Sequence, residues 1–431
     1  MLKQRKTRLT TLTFAVSCAL SVAAGLQQFT SNAAVPAMPL AQEVYVWQRA
    51  WTPAVREAVV EHGAAFTNVV ALAAEVSWSH GKPEVVRVPV DFSALAQTKQ
   101  ATGLALRIGP FSGPFATNDA VSQMLVSLAA SVVTEAKTNG VALSEMQLDF
   151  DCADSKLDSY RLWVEAIRQH IAPIRLTITT LPSWLKQSAF RALVAASDGY
   201  VLQVHSLAKP ESYDAKFTLC DPKAALAAVE KASSFGVPFR VALPTYGYLM
   251  AFATNGQFVG LSAEGPAKSW PASARLREVR SDPVAMAELV QKLEAEHLPD
   301  LRGIIWYRLP TIVDNLNWRW PTLAAIVAWQ LPHESVQPQL SRVEAGLVEI
   351  SLVNNGELDI FSRLAVEIRW QDARLVAGDG LRGFELVEGD ASTARFQIRS
   401  QPHRLSAGEQ WTIGWLRFNR DVEVQLELKK Q

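Results

Sequence analysis

Cysteine is scarce in this chain. Three in 431 residues cannot build a disulfide scaffold, and Cys18 stands inside an N-terminal apolar run. Cys152 and Cys220 remain; an oxidising compartment lets them join, and otherwise they stay as two free thiols. No CxxC or HxxxH spacing is present, so these residues offer no pattern for a metal site. No glycine-rich phosphate loop follows any strand candidate, which argues against a nucleotide site. There is no internal repeat and no low-complexity stretch. Neither charge sign is in surplus, with 42 basic and 42 acidic residues. What is present is an ordinary folded composition, 49% hydrophobic and 19% charged.

The N-terminus has the order of a secretory signal. Lys3, Arg5, Lys6 and Arg8 precede an apolar run from Leu9 to Leu26, and Ser31-Asn32-Ala33-Ala34 follows. Thr10, Thr11, Thr13 and Ser17 dilute the run relative to a membrane span. The apolar residues after Cys18 do not suit lipidation. The expectation is cleavage near Ala33 or Ala34 and export to the periplasm or beyond the cell. Removing residues 1–34 takes four basic residues and no acidic one, leaving a net charge of −4. That balance gives no reason to expect nucleic acid as a partner, or a membrane beyond the export signal.

Strand and helix patterns alternate from residue 43 to residue 330. Strand candidates are Glu43–Trp47, Asn68–Ala74, Leu104–Ile108, Met146–Asp151, Arg175–Thr180, Tyr200–His205, Phe239–Leu243 and Gly303–Tyr307. The clearest helices are Asp119–Lys137, Leu157–Ile171, Pro222–Ser234, Pro283–His297 and Pro321–Trp329. Thr52-Pro53, Asp221-Pro222 and Asp282-Pro283 mark helix starts, and Gly63, Gly140 and Gly236 mark stops. Eight strands, each followed by a helix, predict an α/β fold, a (β/α)8 TIM-type barrel over residues 35–333. Two excursions exceed a tight connection, Glu75–Ala101 and Thr245–Asp282. The first has room for a strand at Glu84–Val90, and the second carries a hairpin signal at Asn255-Gly256. After Leu331-Pro332 the helical period disappears. Short alternating runs such as Leu347–Val353, Leu364–Trp370, Thr393–Ile398, Trp411–Phe418 and Val422–Leu428 predict a small C-terminal β-sandwich over residues 340–431.

The chemistry concentrates on the fourth strand. Gln147, Asp149 and Asp151 alternate with Leu148 and Phe150, so the polar three share one face. In a barrel that face points inward, and the two aspartates sit at the C-terminal end, where barrel active sites lie. Two neighbouring carboxylates repel, so one is expected to hold its proton to higher pH and act as an acid. Other strand ends converge there: Trp47 after Tyr45, Glu75 with Trp78 beyond, Arg107, Gln203 and His205, Tyr246, then Trp306 and Arg308. Aromatic faces beside polar donors and acids suit a sugar ring.

Gln147-Leu148-Asp149-Phe150-Asp151-Cys152-Ala153-Asp154-Ser155-Lys156-Leu157, together with Leu243-Pro244-Thr245-Tyr246-Gly247-Tyr248 and Ile305-Trp306-Tyr307-Arg308-Leu309-Pro310, resembles an uncharacterised bacterial family, domain of unknown function 3142. More distantly, the strand-four register is similar to that of chitinase-like glycoside hydrolase family 18 barrels, which end this strand with Asp-x-Asp-x-Glu. That resemblance implies that Asp149 matches the middle aspartate and that Asp151 stands at the acid position, as aspartate in place of glutamate. Gln147 replaces the first aspartate, and Trp306 looks like the tryptophan ending strand eight.

The expectation is therefore an exported, glycoside hydrolase-like protein acting on a polysaccharide. Asp151 is the expected proton donor, Asp149 its nucleophile, stabiliser or orienter, and Glu75 the second acid across the cleft. Gln147, Trp47, Arg107, Gln203, His205, Tyr246, Trp306 and Arg308 are expected to bind substrate, with no metal and no cofactor. The alternative is a non-catalytic carbohydrate-binding or envelope-assembly protein on the same scaffold.

Overall fold

The computed structural model describes residues 39–116, 119–207, 209–263, 269–398 and 404–430. The expected signal at residues 1–34, with Cys18, lies outside the described residues. No helix among the described residues is long and apolar enough to cross a membrane.

The first half of the chain runs β1 (Ala41–Val46), α1 (Pro53–His62), β2 (Asn68–Ser79), β3 (Lys82–Arg87), α2 (Phe92–Gln97), β4 (Ala101–Ile108), α3 (Ala120–Thr138), β5 (Leu143–Phe150), α4 (Leu157–Ile171), β6 (Arg175–Thr180), α5 (Phe190–Ala195) and β7 (Gly199–Gln203). It continues with α6 (Pro222–Ala232), β8 (Phe239–Pro244), β9 (Gly247–Phe252), β10 (Phe258–Ser262), β11 (Arg275–Arg280), α7 (Pro283–Glu296), β12 (Leu301–Tyr307) and α8 (Trp320–Val327). Strands β1, β2, β4, β5, β6, β7, β8 and β12 pair in parallel, and β1 bonds both β12 and β2. The sheet therefore closes into the expected (β/α)8 barrel. Closure needs one glycine: a Cβ on Gly303 would lie 2.5 Å from the Ala41 carbonyl oxygen.

The helix punctuation works through named bonds. Asp221 and Asp282 each accept two first-turn backbone N–H groups, and the proline that follows needs none. Thr52 makes no side-chain cap, so Pro53 sets the start of α1 without it. Gly236 ends its turn left-handed at φ 70°. Gly63, read as a stop, stays right-handed and leads into a short 3-10 turn.

The barrel interior has three levels. At the bottom, Arg240 donates at 2.7 Å to both Glu145 oxygens and also to Glu43. Asn68 donates to Glu43 at 3.1 Å and to Glu145 at 2.8 Å, and Thr177 donates to Glu145 at 2.7 Å. Burial pushes both carboxyls up. At Glu145 the Arg240 charge and the hydrogen bonds it receives outweigh burial and hold it at about 2. At Glu43 burial prevails, with the Glu145 charge adding to it, and the carboxyl stays raised. The waist is apolar, filled by Tyr45, Val70, Ala105, Val201, Ala242 and Ile305. The mouth above it is polar and aromatic. Outside the strands, residues of opposite parity, such as Leu148 and Phe150, pack on the helices through Tyr160 and Trp163.

Both excursions leave the C-terminal rim. β3 folds back antiparallel on β2, and the second insertion is a three-stranded sheet ordered β10-β9-β11. Its hairpin falls at Asn255-Gly256 as expected, and β11 adds a third strand.

The C-terminal region comprises β13 (Val336–Glu344), β14 (Leu347–Asn354), β15 (Leu364–Trp370), β16 (Leu375–Gly380), β17 (Phe384–Glu388), β18 (Thr393–Ile398), β19 (Gln410–Phe418) and β20 (Val424–Lys430). They form two antiparallel sheets, β13-β14-β19-β16 and β17-β18-β15-β20, around Ile350, Leu352, Val366, Ile368, Phe396 and Ile413. The first of these strands starts at Val336, ahead of residue 340. Arg404 ties this region to the loop after β12: Nε donates to Asp359 at 2.7 Å and Nη2 to the Asn317 carbonyl at 3.0 Å.

Candidate active site

The mouth is built from the last inward residue of each strand. Strand register sets Glu75 of β2 opposite Arg107 of β4, and Arg107 opposite Asp149 of β5. An acid, a base and an acid thus stand side by side on three adjacent strands. Each acid has a partner. Arg49 holds Glu75 through two bonds, one from Nη2 at 3.1 Å. Thr179 of β6 donates to Asp149 at 2.6 Å. Arg107 donates to Asp151 at 3.2 Å.

Asp149 and Asp151 differ in environment. Asp151 lies just past the end of β5, with its side chain 49% exposed and its partner Arg107 38% exposed, so water screens that pair. Asp149 is half-buried. Burial raises its carboxyl above the usual range; Arg107 and the Thr179 bond oppose the rise, and the Asp151 and Glu75 charges reinforce it. Of the two aspartates, Asp149 is the one whose carboxyl burial raises.

An aromatic wall faces this row. Tyr307 of β12 is its centre, with ring centroids 5.5 Å from Trp47, 5.9 Å from Tyr45, 5.6 Å from His205 and 5.5 Å from Tyr246. Trp47 also meets Tyr45 edge-on at 5.1 Å. Burial raises the Tyr307 hydroxyl; Arg308 and Arg107 oppose the rise, and Asp149 adds to it. Tyr307 thus belongs with the acid row, although the sequence pattern did not single it out.

Other expected contacts move away from the surface. Trp306 is corrected: its parity is opposite to Tyr307, so it packs in the outer layer, fully buried, donating to Gln42 at 2.7 Å and lying against Trp318. Gln147 is sealed below the mouth, accepting from the Tyr45 hydroxyl at 2.6 Å and donating to Glu145 at 3.0 Å. It joins the waist to the charged bottom and cannot touch a ligand there. Arg308 turns to Asp314 at 2.9 Å and fixes the loop after β12. Gln203 is half-buried and donates to the His205 carbonyl at 3.2 Å. Cys152 and Cys220 are free, buried thiols, each pushed up to about 12 by burial, and they form no disulfide.

His205 is covered, and its Nδ1 meets the Tyr246 hydroxyl at 3.2 Å; Tyr246 then meets Tyr248 at 3.1 Å, and Tyr248 meets Ser206 at 2.6 Å. Its Nε2 has no hydrogen-bond partner among the described residues. Burial lowers the imidazole to about 3, so the ring is neutral at working pH. An unfolded histidine binds a proton below about 6.5, whereas this one does not until about 3. Its contribution to stability is thus full above pH 6.5 and is lost as pH falls toward 3, by up to roughly 1.4 kcal/mol per pH unit. In urea melts between pH 7 and pH 4, His205→Gln is expected to show a shallower loss than the parent.

Residues 111–312 match the family model described as Domain of unknown function (DUF3142), and residues 337–419 match a second, Domain of unknown function (DUF8456). No curated protein matches the chain. Among solved structures, the chain is similar to the spore cortex-lytic enzyme SleL of Bacillus megaterium, with 12% identity, 68% of this chain and 74% of that chain covered, and a TM-score of 0.48. It is similar to a chitinase from Bacillus thuringiensis at 11% identity, covering 91% of this chain and 100% of that one, with a TM-score of 0.45. A chitinase from Chromobacterium violaceum gives 14% identity, 67% and 98% coverage, and a TM-score of 0.47.

Proposed function

We propose that the chain is an exported polysaccharide-active hydrolase that works at the C-terminal mouth of its barrel, with Asp149 as the proton donor. One observation carries this reading: a half-buried carboxyl, raised by burial, shares a row with the guanidinium of Arg107 and faces a wall of Trp47 and Tyr307. The aromatic faces take the apolar side of a sugar ring, and the charged row takes its hydroxyl edge.

In this mechanism Asp149 gives its proton to the glycosidic oxygen as the bond to the anomeric carbon breaks. A second acid, Asp151 or Glu75, stabilises the positive charge that develops on the ring. Water then supplies the new hydroxyl, and its proton restores Asp149. Where the sugar carries an N-acetyl group, that group assists in place of the second acid. The test is a screen of the purified chain against bacterial envelope and extracellular polysaccharides, read as new reducing ends. Release from a responsive glycan supports the reading; none from any glycan sinks it. Export is tested alongside by sequencing the N-terminus of the protein recovered from the periplasm or medium, with cleavage near Ala33 or Ala34 expected.

A second reading, a non-catalytic glycan-binding or envelope-assembly protein, draws on the fact that Glu75, Asp149 and Asp151 all have protein partners. A glycan that binds the parent and Asp151→Asn alike, without turnover in either, decides for it.

A further inference from the structure

The loop between β12 and α8 is held by guanidinium groups. Its own branched residues Ile312 and Val313 are 72% and 64% exposed, so apolar packing does not place its tip. Its ends are fixed to the barrel. The Leu309 amide donates to the Tyr45 carbonyl at 2.8 Å, and the Trp318 amide donates to the Thr245 carbonyl at 2.9 Å. Between these ends, Arg319 donates to the Ile312 carbonyl at 2.7 Å, and Arg280, at the end of β11, donates to the Asn315 carbonyl at 2.6 Å. Arg404 reaches in from the C-terminal region. It donates to the Asn315 and Asn317 carbonyls while its Nε stays on Asp359. That ion pair is largely buried, and the other Asp359 oxygen accepts from the Ala407 amide at 3.0 Å, so the fork is anchored in the sandwich.

The loop in turn holds the wall of the mouth. Asn317 is fully buried and donates to the Arg308 carbonyl and to Asp314, both at 3.4 Å. Asp314 accepts from the Arg308 guanidinium at 2.9 Å and from the Thr311 amide at 2.8 Å. Arg308 follows Tyr307 in the chain, and its charge leads those that oppose the rise of the Tyr307 hydroxyl.

We propose that the C-terminal region is a working part of the mouth and that Arg404 is a positioning residue, setting Arg308 and Tyr307 through the loop between β12 and α8. The region that matches the second family model thereby frames the site instead of standing as a separate module. This role rests on reading the mouth as the working site, for cleavage or for binding alone. An arginine fork serves one carboxylate and two carbonyls at once, whereas a lysine keeps only the charge pair. A loop held by polar bonds, with its apolar residues in water, opens locally once those bonds go.

The test compares the full chain with Arg404→Lys and with the pair Arg404→Gln and Asp359→Asn, which leaves no buried charge unpaired. It reads deuterium exchange over residues 309–318 and fluorine NMR of the chain labelled with fluorotryptophan, with resonances assigned by Trp47→Phe and Trp370→Phe. Trp47 reports on the Tyr307 ring 5.5 Å away, and Trp370 reports on the sandwich core. Both variants are expected to exchange the amides of 309–318 about ten-fold faster and to move the Trp47 resonance, with Trp370 unmoved. Unchanged exchange over 309–318 overturns the proposal, as does faster exchange with the Trp47 resonance in place. A Trp370 resonance that moves in both variants makes Arg404 a residue of the sandwich fold and overturns it as well. Neither readout uses a glycan. Failure of the clamp therefore leaves the hydrolase reading standing, and a chain that cleaves no glycan leaves the clamp standing.

Discussion

Asp149→Asn is expected to lower glycan cleavage by roughly 10³-fold, within the range that a positioned general acid contributes. Asparagine keeps an oxygen for the Thr179 hydroxyl, so the site keeps its shape and loses only the proton. The loss should appear in kcat, with binding of an uncleaved glycan little changed. The pH dependence follows from the direction of the shift. Burial raises the Asp149 carboxyl, so activity is full below its raised value and falls as pH climbs through it. The same shift makes Asp149 a liability for folding above the usual carboxylate range, because the unfolded chain ionises it more readily. At neutral pH the asparagine variant should therefore melt no lower than the parent. A variant that loses activity together with its melting temperature would point to a structural carboxylate.

Arg240→Met is expected to cost the fold more than any change at the mouth. It leaves Glu43 and Glu145 facing one another in the barrel interior without their shared cation. Removing one partner of a buried ionic cluster costs about 3–5 kcal/mol, against a total stability of roughly 5–15. The pH response should invert. In the parent, the low Glu145 value gives stability that is present above about pH 4.5 and lost as pH falls toward 2. In Arg240→Met both carboxyls are raised, so the variant gains stability as pH falls. Adding Glu43→Gln and Glu145→Gln to Arg240→Met should recover much of the loss in urea denaturation at pH 7.5, because no unpaired charge is then left buried.

The fold was legible because its signals are local and repeated. Arg175–Thr180, Leu157–Ile171 and Leu364–Trp370 have the bounds expected from their apolar patterns. Asp-Pro pairs marked the starts of α6 and α7 with their capping bonds. The strands that escaped notice carry weaker patterns: β11 is Arg-Leu-Arg-Glu-Val-Arg, and β16 contains two glycines.

The inward row of the candidate site was legible for the same reason, since Gln147, Asp149 and Asp151 alternate on one strand. Depth was harder to read. Alternation says which way a side chain points and is silent on its level in the barrel, so Gln147 and Asp149 looked equivalent although one is sealed and the other lines the mouth. The pattern extends back to Glu145, and Glu43-x-Tyr45-x-Trp47 repeats it on β1; charged residues at strand starts, with Arg240 on β8, were the available signal for the bottom cluster. Parity failed at β12, where Trp306 and Tyr307 are adjacent aromatics. The apolar pair Ile304-Ile305 leaves either phase open, and only closure against β1 sets Tyr307 inward with Ile305. The difference between Asp149 and Asp151 needed the end of β5: one aspartate is inside the strand, the other beyond it in water.

The most direct measurement is a pH titration of the carboxyl absorptions by infrared difference spectroscopy, parent against Asp149→Asn. The account predicts a carboxylic acid band in the parent that persists above the ordinary aspartate range and is missing from the variant. A parent in which Asp149 ionises at or below that range would contradict the assignment of Asp149 as the proton donor.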